Sequence, residues 1–189
     1  MARTPSTMVA LGTEAPGFAL ADPSGRVWRW EDVAGARATV VMFVCNHCPF
    51  VKHIGAGLAQ IARDFAGRPV GFVAINSNDV RTHPEDAPEK MAEAARGWGW
   101  TFPYLFDESQ AVARAYDAAC TPDFFVYDGA RRLAYRGQMD GSRPGNEIPV
   151  TGSDLRAALE ALMAGRMPSG AQAPSIGCNI KWKPGNEPR

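Results

Sequence analysis

Continuous apolar runs alternate along the chain with segments of helical periodicity, and this alternation predicts an α/β fold. The runs ATVVMFV (38–44) and VGFVAIN (70–76) are rich in β-branched residues, which is typical of strands covered on both faces of a sheet. Between them, apolar residues recur at steps of three and four, which predicts an amphipathic helix. These residues are Val51, Ile54, Leu58, Ile61 and Phe65. Strand, helix and strand in this order predict a right-handed parallel crossover with the first strand at the centre of the sheet.

Two further segments predict β-hairpins, because extended sequences flank a turn signal in each. The stretch FALADPSGRVWRW alternates apolar and polar residues around Asp22–Gly25 and predicts an N-terminal hairpin. The stretch CTPDFFVYDGARRLAYRG carries Asp128-Gly129 at its centre and predicts an antiparallel pair.

The remaining helices are predicted from capping patterns and periodicity. Asp86 with Glu89 three residues later predicts a capped helix start, and Asp107 with Gln110 repeats the pattern after the short strand YLF. The segment SDLRAALEALMAG predicts a last helix that ends at Gly165.

These elements predict a flexible N-terminal arm over residues 1–12, one domain over residues 13–165, and a tail over residues 166–189. The tail is rich in proline and glycine and carries Cys178, and apolar residues around this cysteine suggest that the tail folds back onto the domain. With 189 residues, 46% of them hydrophobic, the chain can bury the core of one ordinary domain.

Charge and leader signals narrow the function classes. Lys and Arg total 20 and Asp and Glu total 20, so no net charge draws the chain to nucleic acid or to an anionic membrane. The first residues lack the apolar segment of a secretory signal, and no stretch is long and apolar enough to span a bilayer, so we expect a cytoplasmic protein. Disulfides are scarce in the cytoplasm, so the four cysteines are expected to be reactive, metal-binding or buried.

The segment FVCNHCPF places two cysteines where the first buried strand ends and the helix begins. Cys45 follows the strand and Cys48 falls in the first turn, where Pro49 is tolerated because the first amide protons of a helix have no partners. Two such thiols can close a small disulfide, with Cys45 exposed and Cys48 beneath it. The positive helix end is expected to lower the pKa of Cys45. His47 between them either stabilises the thiolate or faces solvent.

Three interpretations of the pair stay open: a dithiol that cycles with a disulfide, a metal site, and two inert core cysteines. The strand-to-helix placement favours the redox interpretation. A metal would need two more ligands, and the chain offers only scattered candidates in Cys120, Cys178, His53 and His83.

Three segments together resemble a known family. GTEAPGFALADPSG, FVCNHCPF and ACTPDFFVYDGARRLAYRG resemble the alkyl hydroperoxide reductase and thiol-specific antioxidant (AhpC/TSA) branch of the thioredoxin-like superfamily, over roughly Gly12 to Ala164. The segments CNHCP, AINSND, CTPDFF, RPGN and SIGC are similar to a subgroup labelled peroxiredoxin-like. The resemblance implies a thioredoxin-like fold, with a central mixed β-sheet flanked by helices and the N-terminal hairpin as an extension.

The resemblance also implies functional residues at matching positions. It places a cis-proline at Pro122, with Thr121 and Pro122 binding the substrate opposite the cysteine pair. The chain departs from typical peroxiredoxins, which carry a threonine three residues before the peroxidatic cysteine. Here Cys45 stands three residues before Cys48, and Met42 three residues before Cys45.

We therefore predict an enzyme, a thiol–disulfide oxidoreductase with antioxidant chemistry that needs no cofactor and no metal. Cys45 attacks a substrate disulfide, Cys48 resolves the mixed disulfide, and Asn46 and His47 tune the pKa values and the reduction potential. Two alternatives stay open: a peroxiredoxin-like thiol peroxidase that reduces hydroperoxides, and a non-catalytic redox sensor. The expected partners are a protein or small-molecule disulfide or thiol, or a hydroperoxide, and an electron donor such as a thioredoxin system. Neither nucleic acid nor membrane is an expected partner.

The two other cysteines support a separate hypothesis. Cys120 lies two residues before Pro122, and Cys178 lies in the tail segment PSIGCNIKW. We expect Cys178 to form an auxiliary redox pair, with Cys120 as the first choice of partner and the Cys45–Cys48 pair as the second. The alternative is that Cys120 and Cys178 are both unpaired.

Overall fold

The structure is a computed structural model that describes residues 3–188, and these residues form strands, α-helices and one short 3-10 helix, Pro84–Asp86. The strands are β1 (Arg3–Pro5), β2 (Ala19–Ala21), β3 (Val27–Arg29), β4 (Ala38–Phe43), β5 (Val70–Asn76), β6 (Tyr104–Phe106), β7 (Cys120–Thr121), β8 (Asp123–Asp128), β9 (Leu133–Gly137) and β10 (Ile176–Asn179). The α-helices are α1 (Trp30–Val33), α2 (Pro49–Asp64), α3 (Pro88–Trp98), α4 (Ala111–Ala115) and α5 (Ser153–Met163).

A mixed sheet with the strand order β3-β2-β6-β5-β4-β8-β9 forms the centre of the fold. β4 pairs in parallel with β5 and antiparallel with β8, so the predicted crossover through α2 is confirmed. Every residue of β4 is buried, as expected for a central strand covered on both faces. Both predicted hairpins are confirmed, because β2 pairs antiparallel with β3 and β8 with β9.

Alternate residues of β4 belong to two hydrophobic layers, one on each face of the sheet. Val40 and Met42 pack in the layer that contains apolar residues of α2, α3 and α5. Val41 and Phe43 pack in the opposite layer with residues of α1 and α4. The period of two along a strand produces this division.

The capping pattern at Asp86 was wrong. α3 begins after Ala87, which has no side-chain cap, and Asp86 ends the 3-10 helix with its side chain turned elsewhere. By contrast, Asp107 does support α4, because its Oδ2 accepts a hydrogen bond from the amide of Ala113 at 2.9 Å.

A second, three-stranded sheet joins the two ends of the chain to the domain, in the order β1-β10-β7. Arg3–Pro5, within the arm predicted to be flexible, pairs with β10 and is therefore ordered in a sheet. β10 belongs to the tail and also pairs antiparallel with β7, so the tail folds back as expected. Residues 1, 2 and 189 lie outside the described residues, and the division of the chain into arm, domain and tail stays a prediction.

The helices are short relative to the thickness of a bilayer. Within residues 3–188, no helix has both the length and the apolar character that a bilayer span requires.

Candidate redox site

The cysteine pair lies where the central strand meets the first long helix. β4 ends at Phe43, and Cys48 is the N-cap residue of α2, directly before Pro49 at the first helical position. Cys48 therefore lies one residue before the first turn in which the sequence placed it. The N-cap position matters because the first amides of a helix have no partners within the helix.

The loop before β8 faces the two sulfur atoms. The Thr121–Pro122 peptide bond is cis, which confirms the expectation from the family resemblance. Thr121 Oγ1 lies 3.5 Å from Cys45 Sγ, and the carbonyl oxygen of Thr121 lies 3.1 Å from Cys48 Sγ. The fold thus brings together three residues that are far apart in sequence.

Both sulfurs are inaccessible to solvent in this arrangement. The exposed fraction is 0% for Cys45 and 0% for Cys48, so the expectation of an exposed Cys45 was wrong. The physical reason is that the Thr121 loop lies against Cys45, while β10 brings Cys178 onto Cys48. A large substrate can reach the sulfurs only if one of these covering segments moves.

The two thiols of the pair have pKa values shifted in opposite directions, downward at Cys48 and upward at Cys45. A hydrogen bond from the Cys45 thiol lowers the pKa of Cys48 to about 5, and the amide of Val51 and the thiol of Cys178 also stabilise the thiolate. Burial raises the pKa of Cys45 well above its ordinary value, and the neighbouring Cys48 and the charge of Asp86 raise it further. The expectation of a lowered pKa at Cys45 was wrong, because the hydrogen bond between the two thiols favours a thiolate at Cys48 instead.

His47 lies beside the pair and is bound to a buried carboxylate. Its Nδ1 is 2.6 Å from Asp86 Oδ2 and 3.9 Å from Cys45 Sγ, and its ring stacks on that of His83 with centroids 5.0 Å apart. The hydrogen bond to Asp86 raises the pKa of His47 against the opposing effect of burial. The Nδ1 proton therefore belongs to the bond with Asp86, and the His47 ring lies next to Cys45.

Asp86 is the residue of this site that the sequence did not reveal. Its side chain is completely buried, and it accepts hydrogen bonds from the amide of Asn46 at 2.8 Å, from the amide of His47 at 3.1 Å and from Asn78 Nδ2 at 2.8 Å. Burial alone would raise the pKa of Asp86, but the bonds from His47 and Asn78 outweigh it and lower the pKa. The carboxylate thereby fixes the loop between the two cysteines.

A sequence signal for Asp86 did exist. The polar residues that follow β5 lie at the same edge of the sheet as the residues that follow β4, because the two strands are parallel. The capping pattern directed attention to the local helix, whereas the contact with His47 spans 39 residues.

Asn46 contributes to the shape of the loop. Its Oδ1 accepts a hydrogen bond from the Tyr104 hydroxyl at 2.9 Å, and its Nδ2 donates to the carbonyl oxygen of Glu85 at 2.9 Å. These bonds hold the loop in place. A tuning role for Asn46 and His47 stays a prediction.

Three residues of this site also carry atoms of the kinds that bind metals. Among residues 3–188, one group of three, Cys45, His47 and Asp86, has ligand atoms that all lie within 4.8 Å of one another. The oxygens of Asp86 are already bound by N–H donors, and His47 Nδ1 is bound by Asp86. A metal would have to displace these bonds, so the arrangement fits a hydrogen-bonded redox site better.

Of the two remaining cysteines, the fold brings Cys178 to the pair. Cys178 lies opposite Thr121 in the ladder of β10 and β7, and its Sγ is 3.2 Å from Cys48 Sγ. Cys120 lies opposite Asn179, so its side chain projects to the other face of that ladder. Burial raises the pKa of Cys120, as does nearby Asp123, and the Cys120 thiol donates to the Pro122 carbonyl oxygen at 3.5 Å.

Comparisons with known proteins identify the family of this chain. The model of the AhpC/TSA family matches residues 11–136. A provisionally named peroxiredoxin of Mycobacterium tuberculosis (strain H37Rv) is 31% identical over 115 residues, which is 61% of this chain and 68% of that protein. The thiol-disulfide oxidoreductase ResA of Geobacillus thermodenitrificans is 29% identical over 125 residues, which is 66% of this chain and 67% of that protein.

Solved structures give the same fold. The crystal structure of an uncharacterised conserved protein from Geobacillus kaustophilus is 56% identical, has a TM-score of 0.95 and covers 97% of this chain and 98% of its own. A secreted disulfide oxidoreductase of Mycobacterium tuberculosis shares the fold alone, at 17% identity and a TM-score of 0.59, over 78% of this chain and 95% of its own. The chain belongs to the AhpC/TSA family and is an oxidoreductase with a thioredoxin-like fold.

Proposed function

We propose that this oxidoreductase reduces disulfides by cycling Cys45 and Cys48 between a dithiol and a disulfide. The observation that carries the proposal is the pair of hydrogen-bonded sulfurs at the start of α2, facing Thr121 across the cis peptide bond. One sulfur of this pair ionises below neutrality while the other keeps its proton. A thiolate next to a second thiol is what a two-step exchange requires.

In the first step, the proton of Cys45 passes to the thiolate of Cys48 along their hydrogen bond. The resulting Cys45 thiolate, which can accept a bond from Thr121 Oγ1 at 3.5 Å, attacks one sulfur of the substrate disulfide. A mixed disulfide forms between Cys45 and the substrate, and the other substrate sulfur leaves as a thiolate that takes up a proton.

In the second step, Cys48 loses its proton again and attacks the Cys45 sulfur of the mixed disulfide. The Cys45–Cys48 disulfide forms and the second substrate sulfur leaves as a thiol. One substrate disulfide has gained two electrons and two protons. The pair has lost two electrons and the one proton that it held, and solvent supplies the other proton. An external dithiol of the thioredoxin type would return the electrons by the reverse exchange.

His47 and Asp86 would stabilise the thiolate of the cysteine pair. The His47 ring held by Asp86 lies 3.9 Å from Cys45 Sγ, and when the ring is protonated its charge favours a transient thiolate. A more stable thiolate form favours the reduced pair and makes the disulfide a better oxidant.

Peroxide reduction is the second candidate function. The hydroxyl of Thr121 beside Cys45 favours it, because a hydroxyl donor can polarise a bound peroxide. Against it, no arginine among residues 3–188 donates a hydrogen bond to either sulfur. Disulfide exchange therefore has the stronger support.

Rates with two substrates separate these functions. The reduced protein, Cys45→Ser and Cys48→Ser would each be assayed with insulin and with hydrogen peroxide. Disulfide reductase activity predicts turnover of insulin by the unsubstituted protein and a stable mixed disulfide at Cys45 in Cys48→Ser. Full activity of Cys45→Ser toward both substrates would refute the assigned roles, and a mixed disulfide on Cys48 in Cys45→Ser would reverse them.

The redox sensor is tested by the same turnover assay together with hydrogen exchange of the tail in the reduced and oxidised protein. A sensor predicts a change in hydrogen exchange of the tail on oxidation, without turnover of either substrate. The cytoplasmic location stays a prediction, which fractionation of cells that express the tagged chain would check.

A further inference from the structure

The tail occupies the side of the site at which the family resemblance places a substrate. β10 pairs antiparallel with β7, and Cys178 lies directly opposite Thr121. An extended peptide that added itself to this edge would need the same backbone groups of Thr121. The chain therefore presents a cysteine of its own at the position expected for a substrate cysteine.

β10 is held in this position from several directions. On its other edge it pairs with β1, and the amide of Ser6 donates to the Ser175 carbonyl oxygen at 3.0 Å. Gly177 permits the close approach to β7, because a Cβ there would lie 2.0 Å from the carbonyl oxygen of Thr121. These contacts fix the tail on the domain, and the contact between Cys178 and Cys48 follows from that position.

The electrostatics of Cys178 depend on the state of Cys48. Burial raises the pKa of Cys178 to about 12, and a hydrogen bond to Cys48 and the charge of Cys48 add to this, while Lys181 acts in the opposite direction. A disulfide at Cys48 carries no charge and needs no donated proton. Oxidation of Cys48 therefore removes two of the causes that keep Cys178 protonated, at the moment when Cys48 becomes an electrophile.

We propose that Cys178 is a third redox thiol of this site, which exchanges with the oxidised pair to form a Cys48–Cys178 disulfide. The inference rests on the proposed function, because the Cys45–Cys48 disulfide is its starting point. The Cys178 thiolate attacks Cys48 Sγ, the Cys48–Cys178 bond forms, and the Cys45–Cys48 bond breaks. Cys45 leaves as a thiolate and receives the proton that Cys178 gave up, so no external oxidant or reductant is consumed.

This exchange has a consequence for access to the site. A Cys48–Cys178 disulfide fixes β10 on the edge of β7 and closes that edge to a second peptide. Cys45 is again a thiol and can reverse the exchange by attacking Cys48. The electron donor can then reduce the protein through either disulfide.

Tryptic mapping of oxidised protein tests the proposal. Cleavage places Cys48 in residues 38–52, Cys120 in residues 115–131 and Cys178 in residues 167–181, so each linkage has its own mass. In Cys45→Ser, the first peptide keeps Cys48 as its single cysteine. After incubation with oxidised glutathione, acid quenching and alkylation, we expect the 38–52 peptide linked to the 167–181 peptide as the main disulfide.

Two variants serve as controls. Cys45→Ser with Cys120→Ser should keep this linkage, and Cys45→Ser with Cys178→Ser should lose it and carry glutathione on Cys48. If Cys45→Ser instead gives glutathione on Cys48 with Cys178 alkylated, or a linkage between Cys120 and Cys178, the proposal is wrong. Circular dichroism of each variant verifies that it is folded.

Failure of the inference can be told apart from failure of the proposed function. Cys178→Ser should still form the Cys45–Cys48 disulfide under oxidised glutathione, which tests the proposed function without the third thiol; its rate of insulin turnover is not used, because Cys178 also contacts Cys48. If the Cys48–Cys178 linkage is absent in Cys45→Ser while the unsubstituted protein turns over insulin normally, only the role of Cys178 as a third redox thiol is refuted. Absence of turnover in the unsubstituted protein removes the proposed function.

Discussion

Cys48 and Cys120 are both fully buried, at 0% exposure, yet their surroundings give their thiols opposite properties. Cys48 lies at the N-cap position of α2, and its Sγ is 3.1 Å from the Thr121 carbonyl oxygen and 3.2 Å from Cys178 Sγ. A hydrogen bond from Cys45 is the main cause that lowers its pKa to about 5. Cys120 lies in β7, contacts a carbonyl oxygen and has Asp123 nearby, and burial with these neighbours raises its pKa. Burial alone therefore does not decide whether a cysteine is inert; the donors that face the sulfur decide.

The buried carboxylates beside these cysteines, Asp86 and Asp123, also differ in the direction of their pKa shifts. Asp86, beside the cysteine pair, accepts hydrogen bonds from two amides and two side chains, and its pKa is lowered. Asp123, beside Cys120, has an Oδ1 without a hydrogen-bond partner among the described residues, and burial raises its pKa to about 8. The surroundings of Asp86 stabilise a negative charge, whereas the surroundings of Asp123 disfavour one.

The largest expected effect comes from exchanging each cysteine for serine. Cys48→Ser should lower insulin turnover by about 1,000-fold or more, because a catalytic thiol is lost. Cys120→Ser, which is matched in burial, should keep turnover within about twofold because the site does not use it. Steady-state rates decide, and equal losses in the two variants would break the comparison.

Asp86→Asn should be the next largest perturbation. Losing charge-assisted bonds to His47 and to the loop amides should cost about 2–3 kcal/mol of unfolding free energy near neutrality. Because the pKa of Asp86 is lowered in the folded protein, its carboxylate stabilises the fold at pH values above the unfolded pKa of 3.8. This contribution is lost as the pH falls through the folded pKa. Urea unfolding should thus show the difference between the proteins shrinking in acid, whereas a difference that grew in acid would contradict the account.

Asp123→Asn should give the opposite pH dependence. The pKa of Asp123 is about 8 in the folded protein and 3.8 in the unfolded chain. Its contribution to the free energy of unfolding is therefore fully present below pH 3.8 and is lost as the pH rises through about 8. The substitution removes this loss, so the variant should gain about 2 kcal/mol relative to the unsubstituted protein between about pH 6 and pH 8. Urea unfolding at both values measures the gain, and parallel stability curves would show that Asp123 is ionised throughout.

The smallest effect is expected from loosening the tail. In Gly177→Ala the added Cβ meets the Thr121 carbonyl oxygen, and an overpacking cost of about 1–3 kcal/mol should raise alkylation of Cys48 by iodoacetamide about tenfold. Gly170→Ala is the matched control, because its Cβ meets no atom within 4 Å. Peptide mapping gives both rates, and an unchanged rate in Gly177→Ala would mean that β10 does not cover Cys48.

Sequence patterns predicted the main sheet and helices because those elements are encoded locally. The apolar runs of β4 and β5 and the periodicity of α2 are sufficient to place Cys45 and Cys48 at the junction of strand and helix. The cis bond at Pro122 followed from the family resemblance, not from spacing.

The missing parts of the site depend on contacts between distant segments. The carboxylate of Asp86 and the sulfur of Cys178 reach the pair across 39 and 130 residues, and no local pattern encodes either contact. The burial of Cys45 and the position of the thiolate follow from these same contacts. The sequence therefore identified the cysteines, Asn46 and His47, but not the buried carboxylate of Asp86 that binds His47.

The ultraviolet absorbance of the thiolates, followed against pH in the reduced protein, tests the central claim most directly. The account predicts a first ionisation with a midpoint at about pH 5 in the unsubstituted protein and in Cys120→Ser, and its loss in Cys48→Ser. A first midpoint near the ordinary cysteine value of about 8.5, or a low midpoint that survives in Cys48→Ser, would contradict it.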